Sequence, residues 1–261
     1  MSENAPELSG PTRDALAQLL LGIADDEFVI GFWDSEWTGI APMLEEDVAT
    51  SSISQDEIGH ARALYEMLAG LTGQDADEIA FGRQPDAYRH AALMNHARTD
   101  WAFTIARRYL YETADTVRLE ALARSSYEQL AQLTGKMRRE ERYHLMHLDT
   151  WLRRLAADAD ANSRLSSALR SLWADALAIF SPVPGEDVLV RGGELPEPMD
   201  SLRARWLEQV LPVLTDLGLP GPTPEVLAAG TQDGRTRRTD DFRWLHGEFT
   251  MVAASERGAT W

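Results

Sequence analysis

The sequence of 261 residues contains no cysteine. That absence excludes disulfide frameworks, thiolate zinc sites, cysteine-held iron–sulfur clusters and cysteine nucleophiles, so any metal must sit on oxygen and imidazole. Positive charge is also scarce: 25 Lys+Arg face 42 Asp+Glu, the formal net charge is -17, and Lys136 is the sole lysine. A field of that sign repels phosphate backbones and anionic lipid, which argues against nucleic acid and membrane surfaces as partners. A local arginine cluster could still take an anionic small molecule. Long apolar runs are missing as well. Stretches such as Leu19–Leu21 and Phe28–Trp33 fall far short of the ~20 residues of a membrane helix, and the N-terminus lacks a basic region followed by an apolar stretch. The expectation is a cytoplasmic protein. No Gly-x-Gly-x-x-Gly occurs, so neither flavin nor nicotinamide is expected on this chain.

What is present is enough apolar residue, 44%, to build a core. Glycine and proline spare long stretches that carry a 3.6-residue apolar rhythm, so the chain reads as all-α. Helices are predicted over about 12–38 with Thr12 or Asp14 as cap, about 44–68 ended by Gly70-Leu-Thr-Gly73, about 91–123, and about 127–157 after the capping signal Ser125-Ser126-x-Glu128-Gln129. Residues 72–90 read as an irregular crossover. A fifth helix capped by Asn162-Ser163 ends before Ser181-Pro182, residues 182–200 read as loop, and shorter helices follow at about 201–215, 224–229 and 240–256. Two helical hairpins joined by one longer connection make a four-helix bundle with one crossover. The expected organisation is a single domain over 1–261, with the core bundle at about 12–157 and a C-terminal helical extension at about 163–261.

The second helix contains Glu57-Ile58-Gly59-His60 and the fourth Glu141-Arg142-Tyr143-His144, each a Glu-x-x-His. Positions i and i+3 lie one turn apart on one side of a helix, so a carboxylate and an imidazole can grip one ion. One such tetrapeptide is weak evidence. Here each sits in an apolar row, Ile53-Glu57-His60-Leu64 and Met137-Glu141-His144-Leu148-Trp151-Leu155, that should face the core. Buried carboxylates need a cation to offset them. Ferritin-like di-iron carboxylate proteins use this combination, with one further Glu on each of the other two helices.

Antiparallel geometry says where those two carboxylates should be. The first hairpin turns near residue 42, so Glu57 lies level with position 27, which is Glu27. The second turns near residue 126, so Glu141 lies level with about 111, and Glu112 is one residue away. The spacings, 30 and 29 residues, agree. Six candidate metal ligands result: Glu27, Glu57, His60, Glu112, Glu141 and His144, a hard oxygen set with two imidazoles that suits iron or manganese. The four glutamates are also the candidate catalytic residues. Asp26 competes with Glu27. Glu36, Glu45, Glu46, Asp56, Asp115 and Glu140 read as solvated or ion-paired, and His147 as an outer neighbour or a surface group.

Several stretches resemble a known family: Asp25-Asp26-Glu27-Phe28-Val29-Ile30, Ser35-Glu36-Trp37-x-Gly39, Leu44-Glu45-Glu46-Asp47, Ile105-Ala106-Arg107-Arg108-Tyr109-Leu110, Glu141-Arg142-Tyr143-His144 with His147, and the ending Gly258-Ala259-Thr260-Trp261. Together they are similar to the ring-1,2-phenylacetyl-CoA epoxidase family, and within it to the C-type subunit. The resemblance implies a ferritin-like helical fold and a multicomponent oxygenase of phenylacetate breakdown, in which a catalytic di-iron subunit pairs with a related structural subunit and a separate reductase supplies electrons. The structural subunit usually lacks several ligands, whereas here Glu57 and His60 are both kept. The framework thus resembles the structural subunit and the ligand set the catalytic one.

Three functional readings follow. The first is a di-iron oxygenase subunit that epoxidises an aromatic acyl-CoA with O2, holding two iron ions, or manganese, and working as an oligomer with its partner subunit and a reductase. The second is a non-catalytic scaffold subunit of the same complex. The third is a ferritin-like iron oxidase. Lys136, Arg138 and Arg139, one turn before the helix-four ligands, are candidates for the CoA phosphates, as are Arg107 and Arg108 before Glu112. The C-terminal segment from about Asp240 to Trp261, with Phe242, Trp244, Leu245, Phe249 and Met251, could pack on the chain's own core or on a partner.

Overall fold

The computed structural model describes residues 8–229 and 234–255. The Gly258–Trp261 ending of the resemblance, and the last residue of the helix expected over 240–256, lie outside them. Among the described residues there is no strand, and no helix is long and apolar enough to cross a membrane. The α-helices are α1 (Gly10–Ser35), α2 (Leu44–Thr72), α3 (Ala76–Phe81), α4 (Trp101–Leu122), α5 (Glu128–Ala157), α6 (Ala159–Ala176), α7 (Glu186–Gly192), α8 (Met199–Asp216), α9 (Pro224–Ala229) and α10 (Asp240–Ser255).

Short polar side chains decide most of the boundaries. Ser9 Oγ accepts the Thr12 N–H and Pro11 occupies the first turn, so α1 begins before the expected Thr12. Gly73 closes α2 at φ 74°, a left-handed conformation that glycine adopts at little cost. Asp75 caps α3, a helix inside the stretch expected to be irregular. Asp100 Oδ1 accepts the Phe103 N–H, so α4 starts at Trp101 and not at Ala91. The apolar run before it is docked instead, with the Ala91 N–H on Asp26 at 2.7 Å and the Ala92 N–H on the Gly234 carbonyl. Asp158, not Asn162-Ser163, caps α6, and α7 occupies part of the expected loop behind Gly185, at φ 77°.

Helices α1 and α2 form one antiparallel hairpin, α4 and α5 the other, and α2 packs against α5. This is the ferritin-like arrangement with one crossover, wrapped by α6, α8 and α10. Helices α1 and α4 are buried almost all round, whereas α2 and α5 bury one stripe and show the other face to water. One continuous apolar core runs from Ala15 to Phe249. In α10, Phe242, Leu245 and Phe249 join that core, while Trp244 and Met251 remain 52% and 61% exposed. Trp244 stacks on Trp33, with ring centroids 6.1 Å apart.

One glycine sets the distance between α1 and α2 beside the Glu57 side chain. A Cβ on Gly31 would lie 2.8 Å from Ile58 Cγ1 and 3.1 Å from Glu57 Cβ, and Ser54 Oγ donates to the Gly31 carbonyl at 2.6 Å. Gly59, two residues past Glu57, has nothing within 4 Å of its would-be Cβ. The two glycines should therefore respond oppositely to alanine. Gly31→Ala is expected to destabilise the fold by about 1–3 kcal/mol through overpacking, and Gly59→Ala to stabilise it by about 0.5–1 kcal/mol through helix entropy. Urea unfolding monitored by circular dichroism measures both; equal effects would contradict this packing.

Candidate metal centre

Four carboxylates of α1 point inward: Asp25, Asp26, Glu27 and Asp34, all at most 1% exposed. Three of them meet arginine. Asp25 is held by Arg83 together with the Tyr65 hydroxyl and the Arg89 N–H. Asp26 accepts from Arg118 at 2.7 Å and from Arg235 at 3.0 Å, and Asp34 faces Arg107 and Arg108. Glu27 is the exception. Its Oε1 takes the Tyr111 hydroxyl at 2.6 Å, and its Oε2 has no hydrogen-bond partner.

That orphan oxygen faces His60 Nδ1 at 3.5 Å. Donor atoms from Glu27, Glu57, His60 and Glu141 all lie within 4.8 Å of one another, and so do donor atoms from Glu57, Glu112, Glu141 and His144. Glu57 and Glu141 belong to both groups, and each divides its two oxygens between them. Glu57 Oε2 lies 3.8 Å from His60 Nδ1 and its Oε1 3.6 Å from His144 Nδ1. Glu141 Oε1 lies 3.3 Å from His60 Nδ1 and its Oε2 3.4 Å from His144 Nδ1. Glu112 Oε1 completes the second group, 3.7 Å from His144 Nδ1. Two adjacent four-donor sites sharing two carboxylates thus lie between the hairpins.

The donor chemistry fits divalent metal. Glu27 Oε2, Glu57 Oε2, Glu112 Oε2, both oxygens of Glu141 and both Nδ1 atoms lack a hydrogen-bond partner although they are buried. Polar atoms buried in that state are costly unless a ligand satisfies them. Burial, helped by the charge of Glu57, pushes Glu27 well above the usual carboxylate range, and burial likewise raises Glu112. Burial also acts on Glu57, but the Arg108 guanidinium, with Glu27 and the two imidazoles close by, outweighs it and holds that carboxyl low. Burial would raise Glu141, but Glu112 and the two imidazoles close to its oxygens outweigh burial and hold it at about 2. Both imidazoles are shifted upward by the carboxylates around them, which outweigh burial.

The outer nitrogens are held by a crossed pair of contacts. His60 Nε2 on α2 meets Glu140 Oε2 on α5 at 2.8 Å, and His144 Nε2 on α5 meets Asp56 Oδ2 on α2 at 3.2 Å. Each partner immediately precedes the other helix's candidate ligand. Asp56 and Glu140 read as solvated or ion-paired in the sequence, and no apolar row marks them. Their only signal is the symmetry: the residue before each Glu of Glu-x-x-His is acidic.

The remaining candidates lie elsewhere. Asp26 turns onto its arginines, and Asp115, also buried, onto Arg118. His147 meets Glu46 at 2.6 Å. Lys136, Arg138 and Arg139 are exposed on α5. Arg107 and Arg108 are not available to phosphates: they are 0% and 3% exposed and spent on Asp34, Glu57 and Glu112, because α4 is buried on the side that carries them. A narrow cavity lined by Thr50, Ile53, Trp101, Ile105 and Leu148 reaches Asp34 and Arg108.

Two curated proteins of Escherichia coli (strain K12) are similar over most of the chain. The C subunit of 1,2-phenylacetyl-CoA epoxidase is 29% identical over 221 residues, 84% of this chain and 89% of that protein. The A subunit of the same epoxidase is 26% identical over 219 residues, 82% of this chain and 70% of that protein. The profile of the phenylacetic acid catabolic protein family matches residues 1–261, and the chain belongs to that family.

Proposed function

We propose that this chain is a di-iron carboxylate subunit of an epoxidase complex that acts on an aromatic acyl-CoA. The observation that carries the reading is the pair of four-donor groups sharing Glu57 and Glu141, buried and with most of their donor atoms unpartnered. Glu27, Glu57, His60, Glu112, Glu141 and His144 would hold two iron ions, with manganese as the alternative, and such a pair supplies electrons to O2 when reduced. The chain's own residues do the rest. Asp56 and Glu140 fix the tautomer and orientation of the imidazoles by accepting their Nε2–H groups. Tyr111 holds Glu27 from behind. The apolar shell formed by the core keeps water from the centre. Lys136, Arg138 and Arg139, exposed on the helix that carries Glu141 and His144, are proposed to meet the CoA phosphates. Two relatives named as different subunits of one epoxidase support a related partner chain, and a separate reductase is proposed as the electron source.

A second reading is a scaffold subunit of the same complex. It is favoured by the somewhat higher identity to the C subunit of the epoxidase than to its A subunit. The iron-oxidase reading has no support from these relatives.

Two measurements test the proposal. The purified chain loaded with ferrous iron should contain about two metal ions by mass spectrometry, and Glu57→Ala, which removes a shared ligand, should lose most of both. Asp56→Ala and Glu140→Ala should weaken metal affinity by about 10–100-fold while leaving the fold intact; full affinity in both would mean that the crossed contacts do not support the ligands. With phenylacetyl-CoA, O2 and a competent reductase, product formed by this chain alone and lost in Glu57→Ala is expected. Product that requires an A-type partner and survives Glu57→Ala would make this chain the scaffold.

A further inference from the structure

The centre already contains a cation, and that cation touches only one half of it. Arg108 Nη2 donates to Glu57 Oε1 at 2.7 Å and to Glu112 Oε1, and Nη1 lies 3.1 Å from Asp34 Oδ2. Both glutamate oxygens face His144. In the half built around His60, no donor atom is engaged: Glu27 Oε2, Glu57 Oε2, Glu141 Oε1 and His60 Nδ1 are all without a hydrogen-bond partner. In the half built around His144, only Glu112 Oε2, Glu141 Oε2 and His144 Nδ1 are in that state.

Electrostatics points the same way. Arg108 lies on Glu57 Oε1 and Glu112 Oε1, so a divalent ion in the half built around His144 would sit beside a guanidinium, whereas one in the half built around His60 would not.

We infer that Arg108 makes the two metal positions unequal: the Glu27/His60 position fills first, and the Glu112/His144 position fills only as Arg108 releases Glu57 and Glu112. This rests on the metal-binding reading above and deepens it. Asp34 makes the release feasible. It already faces Arg108, so the guanidinium keeps a carboxylate partner when Nη2 lets go. Arg108 is thus a positioning residue that acts through the ligand oxygens, and it sits where the narrow cavity beside Trp101 meets the centre.

The test titrates the full chain with Mn(II), followed by calorimetry and electron paramagnetic resonance. The wild-type chain should take its first equivalent as an isolated Mn(II) ion and its second at least roughly tenfold more weakly, with a spin-coupled signal appearing only then. Arg108→Gln should bring the two affinities together and make the coupled signal appear from the first addition, and Arg108→Lys should keep the gap. Glu27→Gln should abolish the tight step, whereas Glu112→Gln should retain it and lose the weak one. These two variants keep the test decisive if Arg108→Gln does not fold. Equal affinities in the wild type, an unchanged gap in folded Arg108→Gln, or loss of the tight step in Glu112→Gln would each overturn the inference. A wild-type chain that binds no Mn(II) or Fe(II) would instead overturn the metal-binding reading itself.

Discussion

Carboxylates buried inside a helical bundle must meet positive charge, and this constraint organises the molecule. Arg83 from the crossover, Arg118, Arg107 and Arg108 from α4, and Arg235 from the segment before α10 all converge on carboxylates of α1. Such pairs add little net stability over a well-packed apolar core, but losing one partner strands a buried charge at a cost of about 3–5 kcal/mol. They therefore act as registration points, fixing which turn of α4 and which part of the C-terminal region lie against α1. At the middle of this network the arginines run out. Four glutamates and two histidines remain, with one guanidinium among them, and the bundle there depends on protons or on metal.

The two hairpins meet this need in the same way. Each contributes a single Glu from one helix and a Glu-x-x-His from the other, and each supplies the acidic side chain that supports the other hairpin's imidazole. The crossed contacts, His60 with Glu140 and His144 with Asp56, tie α2 to α5 by way of the centre itself. The tie matters because few other residues of α2 and α5 pack directly on each other. The close approach of α1 and α2 at Gly31 sets the depth of Glu57, so packing and ligand geometry are one problem there. Symmetry breaks at Arg108, on the Glu112 side, and at Tyr111, on the Glu27 side.

Much of this was legible from spacing. A helix repeats its face every three or four residues, so two Glu-x-x-His pairs in apolar rows could be seen to point inward, and hairpin arithmetic singled out Glu27 over Asp26. What was not legible depends on partners distant in sequence. Arg107 and Arg108 look like ordinary surface cations until α4 is seen to be buried on nearly every side. Ala91–Met94 has the composition of a helix, yet Asp26 captures its backbone and Asp100 starts the helix later. Asp56 and Glu140 carry no periodicity because they lie at the edge of the buried stripe, where exposed and half-buried acids read alike. The short α3 and α7 were hidden among prolines and glycines because tertiary packing, not periodicity, holds so brief a helix.

Everything proposed for the centre requires that Glu57 and Glu141 be shared between two metal positions inside the bundle. A crystal structure of the chain soaked with excess Mn(II), with anomalous differences collected at the manganese edge, decides whether they are. Two anomalous peaks should flank these two carboxylates, one beside His60 and a second beside His144, with Arg108 drawn back toward Asp34. Peaks confined to the protein surface, or Glu57 and Glu141 turned away from bound metal, would contradict the sharing.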